Sequence, residues 1–346
     1  MITQKLDSTD PLLAFTVEWV RRLAVRLEHL DVLCLEVKIP PSELPANVTA
    51  WSMGKERGYG RARELIEFYR VLLKVAPKTD AIFSHMVPRY AYLSMPIALP
   101  FNLPVYLWYT HRQDTRELRM ATAVCEAVMS AVPESFPFET PKLRAVGHGV
   151  DTAFFASDPT IVPDLPPVIA QVARLTPIKH QETLIRALSL VPHVRAAIVG
   201  NVPPGKDETY QTQLETLATV LGVANRVEFT GGLPAEQVRD LVRRATIAVN
   251  LSPPGLFDKA ALESMMVGTL TIVSNPAFDG LLRDHASLLR ISAPDAVDEL
   301  VKAIKAILAL PAQTRADIAL DIQGRARTAH GIDGLMDRLV EIMRPH

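Results

Sequence analysis

The chain has 346 residues, 48% of them hydrophobic and 22% charged, which is typical of a globular protein large enough for two domains. Its formal net charge of −1 argues against a nucleic-acid-binding protein that works by phosphate neutralisation. Two cysteines in separate apolar runs, Cys34 and Cys125, favour a reducing compartment over a disulfide framework. Since the sequence also lacks a bilayer-spanning run and a signal-peptide core, we expect a cytoplasmic protein.

The first half of the chain alternates between apolar runs and helical patterns. Residues 1–4 are short for a first strand, which is compatible with a trimmed start, and a helix is predicted from about Asp10 to Leu30. The strands predicted after it are 31–38, 48–53, 80–86, 105–110, 127–132 and 143–147. Strands separated by helices indicate parallel pairing, so residues 1–150 are predicted to form one doubly wound domain.

The second half repeats this alternation after a Pro- and Asp-rich segment, 151–167, which is predicted to be a linker. The predicted strands are 168–172, 194–199, 226–230, 247–251 and 270–274, with helices at 183–190, 209–221 and 235–245. The predicted fold class is therefore α/β, with two doubly wound Rossmann-like domains, 1–150 and 151–330, that face a cleft. In such domains ligands bind beyond the carboxyl ends of the strands.

The segment 250–268, NLSPPGLFDKAALESMMVG, joins two predicted strands through a turn and a helix that begins near Asp258. Such a connection directs backbone N–H groups and a helix N-terminus at whatever lies in front of the sheet, which suits a phosphate or a sugar. Glu263 lies within the helix among apolar neighbours, where an unpaired carboxylate is costly unless it holds something. The pattern favours a binding site for a sugar nucleotide.

Two cations follow the first strand of the second half. Arg174 stands at the carboxyl end of that strand, and Lys179 lies just before a helix. Both are well placed to meet a diphosphate, the arginine through a bidentate fork and the lysine as a point charge. The alternative is that both are solvated loop cations, but their position at a strand end favours the binding role.

Histidines end two predicted strands of the first half, His85 in FSHMVP and His111 in WYTHRQD. A histidine at this edge of the sheet can hydrogen-bond a reacting sugar or an acceptor. We expect a functional role for His111 and a structural one for His85.

Several familiar motifs are absent or incomplete. The segment 200–207, GNVPPGKD, nearly spells a P-loop, but Asp207 replaces the required hydroxyl and two prolines remove N–H donors. We expect an ordinary loop there, with Asn201 as a candidate substrate contact. The sequence has no D-x-D pair, no Cys/His cluster with metal-ligand spacing, no G-x-S-x-G elbow and no G-x-G-x-x-G after a strand. These absences disfavour a metal site, an α/β-hydrolase and a dehydrogenase, and no cofactor is expected.

The stretch 61–78 is basic and amphipathic, and could rest on an anionic membrane. A core-facing helix with a solvated rim is the commoner outcome of such a pattern. Peripheral contact with the inner face of a membrane therefore stays an open alternative to a purely cytoplasmic protein.

In the second half, four segments in order, 173–188, 196–200, 226–252 and 262–275, together with 147–155, resemble the retaining glycosyltransferases of family 4, or group 1. That family has the two-domain fold called GT-B. The first half matches it more loosely, through VYLWYTHRQD.

The resemblance implies roles for individual residues. Arg174 and Lys179 would hold the donor diphosphate. Glu263, as the second Glu of an E-x7-E motif, would bind the ribose hydroxyls, and His111 would contact the transferred sugar or its β-phosphate. The resemblance also implies transfer without a metal, with retained anomeric configuration, and a C-terminal helix in 331–346 that packs back on the first domain.

The chain departs from the family pattern in two places. The first Glu of E-x7-E should stand where the chain has Gly255, and that carboxylate normally orients hydroxyls of the donor sugar. Asp258 and Lys259 are the candidates to replace it. The candidate donor contacts of this segment are Gly255, Leu256, Phe257, Asp258 and Lys259. The family's Gly-rich loop after the first strand is also missing, and Asp7 or Asp10 could serve in its place.

The predicted function is a retaining, metal-independent glycosyltransferase that moves a sugar from a UDP-, GDP- or ADP-sugar to a saccharide or glycolipid acceptor. By resemblance, the setting is bacterial polysaccharide or glycolipid synthesis. Two alternatives stay open. One is a sugar-nucleotide epimerase of the same fold, and the other, suggested by Gly255, is a non-catalytic sugar-nucleotide-binding protein.

Overall fold

A computed structural model of the chain describes residues 1–10, 13–203, 205 and 209–344. The chain forms two compact units. The first consists of Met1–Gly149 together with Ile332–His346, and the second of Val150–Gly331. Each unit is built on a parallel sheet flanked by helices, as expected for two Rossmann-like domains. Within the described part of the chain, each helix falls short of the length or apolarity that a bilayer-spanning segment needs.

The first unit contains a seven-stranded sheet in the order β3-β2-β1-β4-β5-β6-β7. Its strands are β1 Ile2–Leu6, β2 Leu30–Val37, β3 Val48–Ser52, β4 Ile82–His85, β5 Val105–Trp108, β6 Ala127–Ser130 and β7 Leu143–Ala145. Its helices are α1 Phe15–Ala24, α2 Arg61–Val75, α3 Pro88–Ala98, α4 Arg116–Val124 and, from the end of the chain, α13 Ile332–Met343. The strand order reverses between β1 and β4, which makes the carboxyl ends of these two strands the topological switch point.

Apolar side chains fill both faces of this sheet. Strands β4, β5 and β6 are buried along their whole length, as parallel strands covered by helices must be. Helix α2 contributes Phe68, which stacks on Tyr90 of α3 with ring centroids 5.8 Å apart. The core therefore extends through the layer between the helices and the sheet.

The predicted extension of the first helix to Leu30 is wrong, because α1 ends at Ala24. Leu30 instead begins β2, where it pairs in parallel with Val48. The Asn47 side chain donates hydrogen bonds to the carbonyls of Ala24 and Leu27, at 2.7 and 2.9 Å. These bonds satisfy carbonyls that a longer helix would have paired internally.

The second unit contains a five-stranded sheet in the order β10-β9-β8-β11-β12. Its strands are β8 Val168–Val172, β9 Arg195–Val199, β10 Val227–Gly231, β11 Ile247–Asn250 and β12 Leu270–Val273. Its helices are α5 Gln181–Ser189, α6 Thr209–Val220, α7 Ala235–Arg244, α8 Lys259–Met266, α9 Asp279–Leu282, α10 Ala286–Leu289, α11 Val297–Ala309 and α12 Ala312–His330. Here the strand order reverses between β8 and β11, so the loops after these central strands meet at the switch point.

Candidate functional site

The loop between β8 and α5 carries both predicted phosphate-binding cations. Gln171, at the end of β8, donates a hydrogen bond to the carbonyl of Lys179 at 2.7 Å. Gln181, at the start of α5, donates to the carbonyl of Arg174 at 3.0 Å. These two buried glutamines hold the loop in shape, while the Arg174 side chain is exposed at the carboxyl edge of the sheet.

The loop after β9 lies directly against this loop. Gly200 has a φ of +143°, and a Cβ atom there would lie 2.0 Å from the carbonyl oxygen of Ala173. The backbone N–H of Leu175 donates to the carbonyl of Asn201 at 3.0 Å. Only glycine permits this approach of the two backbones, which fixes the position of Arg174 beside the second loop.

Lys179 and Asp258 form a hydrogen-bonded ion pair inside the second unit. Lys179 is 7% exposed, and its Nζ donates to Ser252 Oγ at 2.9 Å and to Asp258 Oδ2 at 2.5 Å. Asn250 Nδ2 donates to the same carboxylate oxygen at 3.0 Å, and the Ser252 hydroxyl donates to it as well. The structure thus brings together the predicted diphosphate lysine and one of the candidates for the missing carboxylate.

Sequence reasoning missed Asn250 and Ser252 as members of this cluster. A signal was present, since the strand IAVN is apolar until Asn250 at its carboxyl end. Asp258 occupies the N-cap position of α8, yet its side chain makes no cap hydrogen bond. The carboxylate pairs with Lys179 instead of with the helix N-terminus.

Glu263 lies one helical turn after Lys259 on α8, and their charged atoms are 3.5 Å apart. The Glu263 side chain is 19% exposed. Glu263 lines a narrow gap that has no room for a water molecule, together with Phe155, Val238, Val267 and the cation Arg239. Burial raises the pKa of Glu263, and the Lys259 ammonium only partly opposes that rise. The carboxyl group is therefore held in an unfavourable environment, as the sequence suggested.

The turn before α8 is fixed by its own packing. Gly255 has a φ of +89°, which suits a residue without a Cβ. Asn275 donates a side-chain hydrogen bond to the carbonyl of Leu256 at 3.0 Å. Phe257 is 7% exposed and stacks on Phe278 with ring centroids 4.4 Å apart. The Phe257 ring therefore anchors the turn to the core of the unit.

Asn201 is engaged with the neighbouring loop. Its Oδ1 accepts a hydrogen bond from the backbone N–H of Gly232 at 2.7 Å. This bond braces the loops after β9 and β10 against each other. Of the P-loop-like segment, Pro204, Lys206 and Asp207 lie outside the described residues.

The two histidines of the first unit differ in environment. His85 is 1% exposed, its Nδ1 lies 3.2 Å from Thr3 Oγ1, and its ring centroid is 4.6 Å from that of Trp19. These contacts are those of a side chain packed in the core, and the structural role of His85 stays a prediction. His111 follows β5 and is exposed, with its ring edge-on to Tyr109 at 5.5 Å. His111 is thus accessible to a ligand of the first unit.

Two acidic residues were candidates in the first unit, and both pair with Lys5. The Lys5 ammonium lies 2.7 Å from Asp10 and 3.2 Å from Asp7. Asp10 also accepts the backbone N–H of Leu13 at 2.9 Å, near the start of α1. Among the described residues of the whole chain, no group of three histidine, cysteine or acidic side chains has an arrangement that could hold a metal ion.

Comparison with protein families gives a match within the second unit. Residues 156–322, slightly less than half of the chain, match the family described as glycosyl transferases group 1. This segment contains Arg174, Lys179, Asp258 and Glu263.

Curated relatives match the chain over part of their length. A D-inositol 3-phosphate glycosyltransferase of Acidothermus cellulolyticus is 32% identical over 173 residues, which are 45% of this chain and 38% of that protein. A GDP-mannose-dependent alpha-(1-6)-phosphatidylinositol monomannoside mannosyltransferase of Mycolicibacterium smegmatis is 40% identical over 108 residues, which are 28% of this chain and 27% of that protein. The chain spans between 24% and 41% of the length of the first curated relatives it matches.

Solved structures match the whole chain in fold. Anabaena HepE in complex with UDP and glucose has a TM-score of 0.73 at 17% identity, with 98% of each chain covered. The sucrose-phosphate synthase of Thermosynechococcus elongatus has a TM-score of 0.75 at 17% identity, with 99% of this chain and 97% of the other covered. The predicted fold class is confirmed: the chain has the GT-B fold, and its residues 156–322 resemble the group 1 glycosyl transferases.

Proposed function

We propose that the protein is a glycosyltransferase that moves a sugar from a nucleotide-diphosphate sugar to a saccharide or glycolipid acceptor. The observation that carries this proposal is the ion pair of Lys179 and Asp258, which joins the loop after β8 to the start of α8 at the carboxyl edge of the second sheet. Cations at that edge suit a diphosphate, and a carboxylate beside them suits ribose hydroxyls. The relatives named as glycosyltransferases support the same class of reaction.

Each side chain has a role in the proposed reaction. Arg174 and Lys179 stabilise the charge that develops on the leaving diphosphate, which is the main catalytic contribution expected of fixed cations. Glu263 accepts hydrogen bonds from the ribose hydroxyls, and His111 contacts the transferred sugar. We propose transfer with retained anomeric configuration and without a metal, in which the leaving phosphate takes the proton of the acceptor hydroxyl.

The ion pair of Lys179 and Asp258 adds a step to donor binding. The lysine can contact a diphosphate only if the phosphate competes with the Asp258 carboxylate for its ammonium. We propose that the donor displaces this carboxylate, and that Asp258 then turns toward the sugar hydroxyls that a Glu at position 255 would have met. Lys259 stays with Glu263 in this scheme.

A non-catalytic sugar-nucleotide-binding protein is the second candidate. Gly255 supplies no side chain for the donor sugar, and Lys179 is already neutralised by Asp258. Such a protein would bind a nucleoside diphosphate but show no turnover with any acceptor. An epimerase would convert the donor alone into an isomeric sugar nucleotide.

The first unit also offers a surface for peripheral contact with a membrane. Helix α2 exposes Leu65, Ile66 and Leu73, at 42%, 64% and 52%, beside Arg70 and Lys74. Apolar side chains flanked by cations suit the interface of an anionic bilayer. We propose contact with the inner face of such a membrane, where a glycolipid acceptor would be available.

A thermal-shift screen against UDP, GDP, ADP and their sugars tests the proposed donor site, since a ligand that binds only the folded protein raises its melting temperature. We expect one base to stabilise the wild type and Arg174→Ala to lose at least about tenfold in affinity. Arg195→Ala, an exposed arginine at the amino end of β9, is the matched control and should bind as the wild type does. Equal binding by Arg174→Ala would disprove the diphosphate assignment.

A further inference from the structure

The first unit has a cavity of about 540 Å³ at the carboxyl edge of its own sheet. Gln4 of β1 and Leu35 of β2 line it, together with Met53 after β3 and Val87 after β4. The cavity therefore lies at the switch point between β1 and β4, where doubly wound domains bind ligands. Its volume is in the range of small-molecule sites.

One wall of the cavity is apolar. It is formed by side chains of α2 and α3, namely Leu65, Phe68, Tyr90 and Leu93. Leu65 is also 42% exposed, and it adjoins Ile66 on the outer surface of α2. Apolar surface thus continues from the cavity to the exposed face of the helix that we propose for membrane contact.

The rim of the cavity carries an excess of positive charge. Lys55, Arg61 and Arg89 line it together with a single carboxylate, that of Glu64. Over the residues that the structure describes, none of these three cations forms an ion pair. Arg57 and Arg70, on the same loop and helix, pair with Glu56 and Glu67 at 3.3 and 2.7 Å. A concave surface with unpaired cations attracts an anion, because its low-dielectric walls focus the potential.

We propose that this cavity binds the acceptor, and that the acceptor is a lipid with a phosphate group at its head. The phosphate would lie among Lys55, Arg61 and Arg89, and the apolar chains would follow Leu65 onto the exposed face of α2. That the bound lipid is the acceptor rests on the proposed function, whereas the binding of a lipid phosphate rests on the cavity alone. A free phosphorylated sugar would use the cations but leave the apolar wall uncovered.

Calorimetric titration of the full chain tests the proposal with three probes. Dihexanoyl phosphatidic acid carries both the phosphate and the chains, glycerol phosphate carries only the phosphate, and octyl glucoside is a neutral amphiphile. We expect phosphatidic acid to bind at least about tenfold more tightly than either of the others, because only it engages both parts of the cavity. If glycerol phosphate binds as tightly, the ligand is a soluble phosphate and the lipid assignment is wrong. If octyl glucoside binds as tightly as phosphatidic acid, the cations do not select an anion and the proposal is wrong.

A pair of charge-matched variants separates the cavity from general surface charge. Arg61→Ala/Arg89→Ala removes two cations from the rim, and Arg57→Ala/Arg119→Ala removes two from elsewhere on the same unit, where they pair with Glu56 and Asp114. All four arginines are exposed, so both variants should fold, which circular dichroism will show. The rim variant, Arg61→Ala/Arg89→Ala, should weaken the binding of phosphatidic acid at least about tenfold, and the control variant should weaken it about twofold or less. Equal losses would overturn the proposal.

The same variants distinguish this proposal from the proposed donor site. The nucleoside diphosphate that stabilises the wild type in the thermal-shift screen should stabilise Arg61→Ala/Arg89→Ala equally, because the proposed diphosphate and ribose contacts belong to the second unit. If that nucleotide binds while phosphatidic acid does not, the acceptor class is wrong and the donor site stands. If phosphatidic acid binds while no nucleotide does, the lipid site stands and the proposed transferase is wrong.

Discussion

The ammonium of Lys179 lies 2.5 Å from Asp258 Oδ2, so the lysine predicted to bind the donor diphosphate already contacts a carboxylate of its own chain. The two side chains are 9% and 24% exposed. Removing one partner of such a pair leaves the other charge poorly solvated, which makes both residues important for stability as well as for binding. A diphosphate that approaches Lys179 must replace Asp258 as its counter-ion.

The variant Asp258→Asn should bind the nucleoside diphosphate selected in the thermal-shift screen more tightly than the wild type does, and it should unfold more easily. The amide cannot neutralise Lys179, so the ammonium is free for the phosphate, and a gain of about tenfold in affinity is expected. The unpaired ammonium should lower the free energy of unfolding by about 3 kcal/mol. Calorimetric titration and urea unfolding measure the two effects. Asp279→Asn, which loses a surface pair with Arg290, is the control.

Turnover distinguishes two roles of Asp258 in the same variant. If the displaced carboxylate orients the donor sugar, Asp258→Asn should bind the nucleoside diphosphate more tightly yet transfer sugar more slowly. Weaker binding of the nucleotide by the variant would show that Asp258 supports the donor site rather than competing with it.

The sequence predicted the central strands well because they are buried on both faces. Strand β8 has the predicted bounds, Val168–Val172, since a parallel strand under helices is a continuous apolar run. The predicted end of α1 is wrong because Leu30 pairs with Val48 in the sheet, and local periodicity does not encode that contact. Boundaries of this kind depend on tertiary pairing.

The sequence names candidate residues for the site, but it does not predict which of them contact each other. Lys179 and Asp258 are 79 positions apart, and Asp258 precedes a helix, where a capping role would be the usual expectation. The cationic cavity of the first unit was missed for a similar reason. Lys55, Arg61 and Arg89 come from a loop and two helices, and only the fold places them around one volume.

The variant Glu263→Gln should be more stable than the wild type at neutral pH and bind the nucleoside diphosphate less well. Burial raises the pKa of Glu263, so the folded protein holds this proton more tightly than the unfolded chain. The contribution of the carboxyl group to stability is therefore present at low pH and is lost as the pH rises through its folded pKa. An amide at this position does not ionise, so the variant keeps its stability as the pH rises. An amide oxygen, however, accepts weaker hydrogen bonds from the ribose hydroxyls than a carboxylate does.

Unfolding by urea at a series of pH values upward from 4.5, the ordinary pKa of a glutamate, measures this effect. The stability advantage of Glu263→Gln over the wild type should grow with pH. Glu236→Gln, on the exposed side of α7, should show a constant difference. A constant difference for Glu263→Gln as well would mean that its carboxyl group is not desolvated.

The variant Gly200→Ala should lose most of its nucleotide binding along with stability. Its Cβ would lie 2.0 Å from the carbonyl oxygen of Ala173, so the loop that carries Arg174 must move. Gly222→Ala is the matched control, because Gly222 also has a positive φ, +69°, but a Cβ atom there would meet no other atom within 4 Å. Gly222→Ala should lower the free energy of unfolding by about 1 kcal/mol through backbone strain, and Gly200→Ala should lower it by about 3 kcal/mol or more. Equal costs would show that the close approach of the two loops is not required.

The stability of the first unit should fall in acid because of His85. Burial lowers the pKa of His85 to about 3, whereas an exposed histidine titrates near 6.5. Between these pH values the unfolded chain binds a proton that the folded protein does not. The contribution of His85 to the free energy of unfolding is therefore fully present above pH ~6.5 and falls as the pH drops toward ~3. From this residue alone, about 2 to 3 kcal/mol should be lost by pH ~4.5.

Tryptophan emission during urea unfolding is the appropriate measurement, because Trp19, Trp51 and Trp108 all belong to the first unit. His85→Gln should be less stable than the wild type at neutral pH, since it loses the ring contact with Trp19, but its stability should fall less in acid. His29→Gln, whose side chain is 50% exposed, should follow the wild type. If His85→Gln loses as much stability in acid as the wild type does, then the acid sensitivity of this unit comes from its carboxylates and not from the buried imidazole.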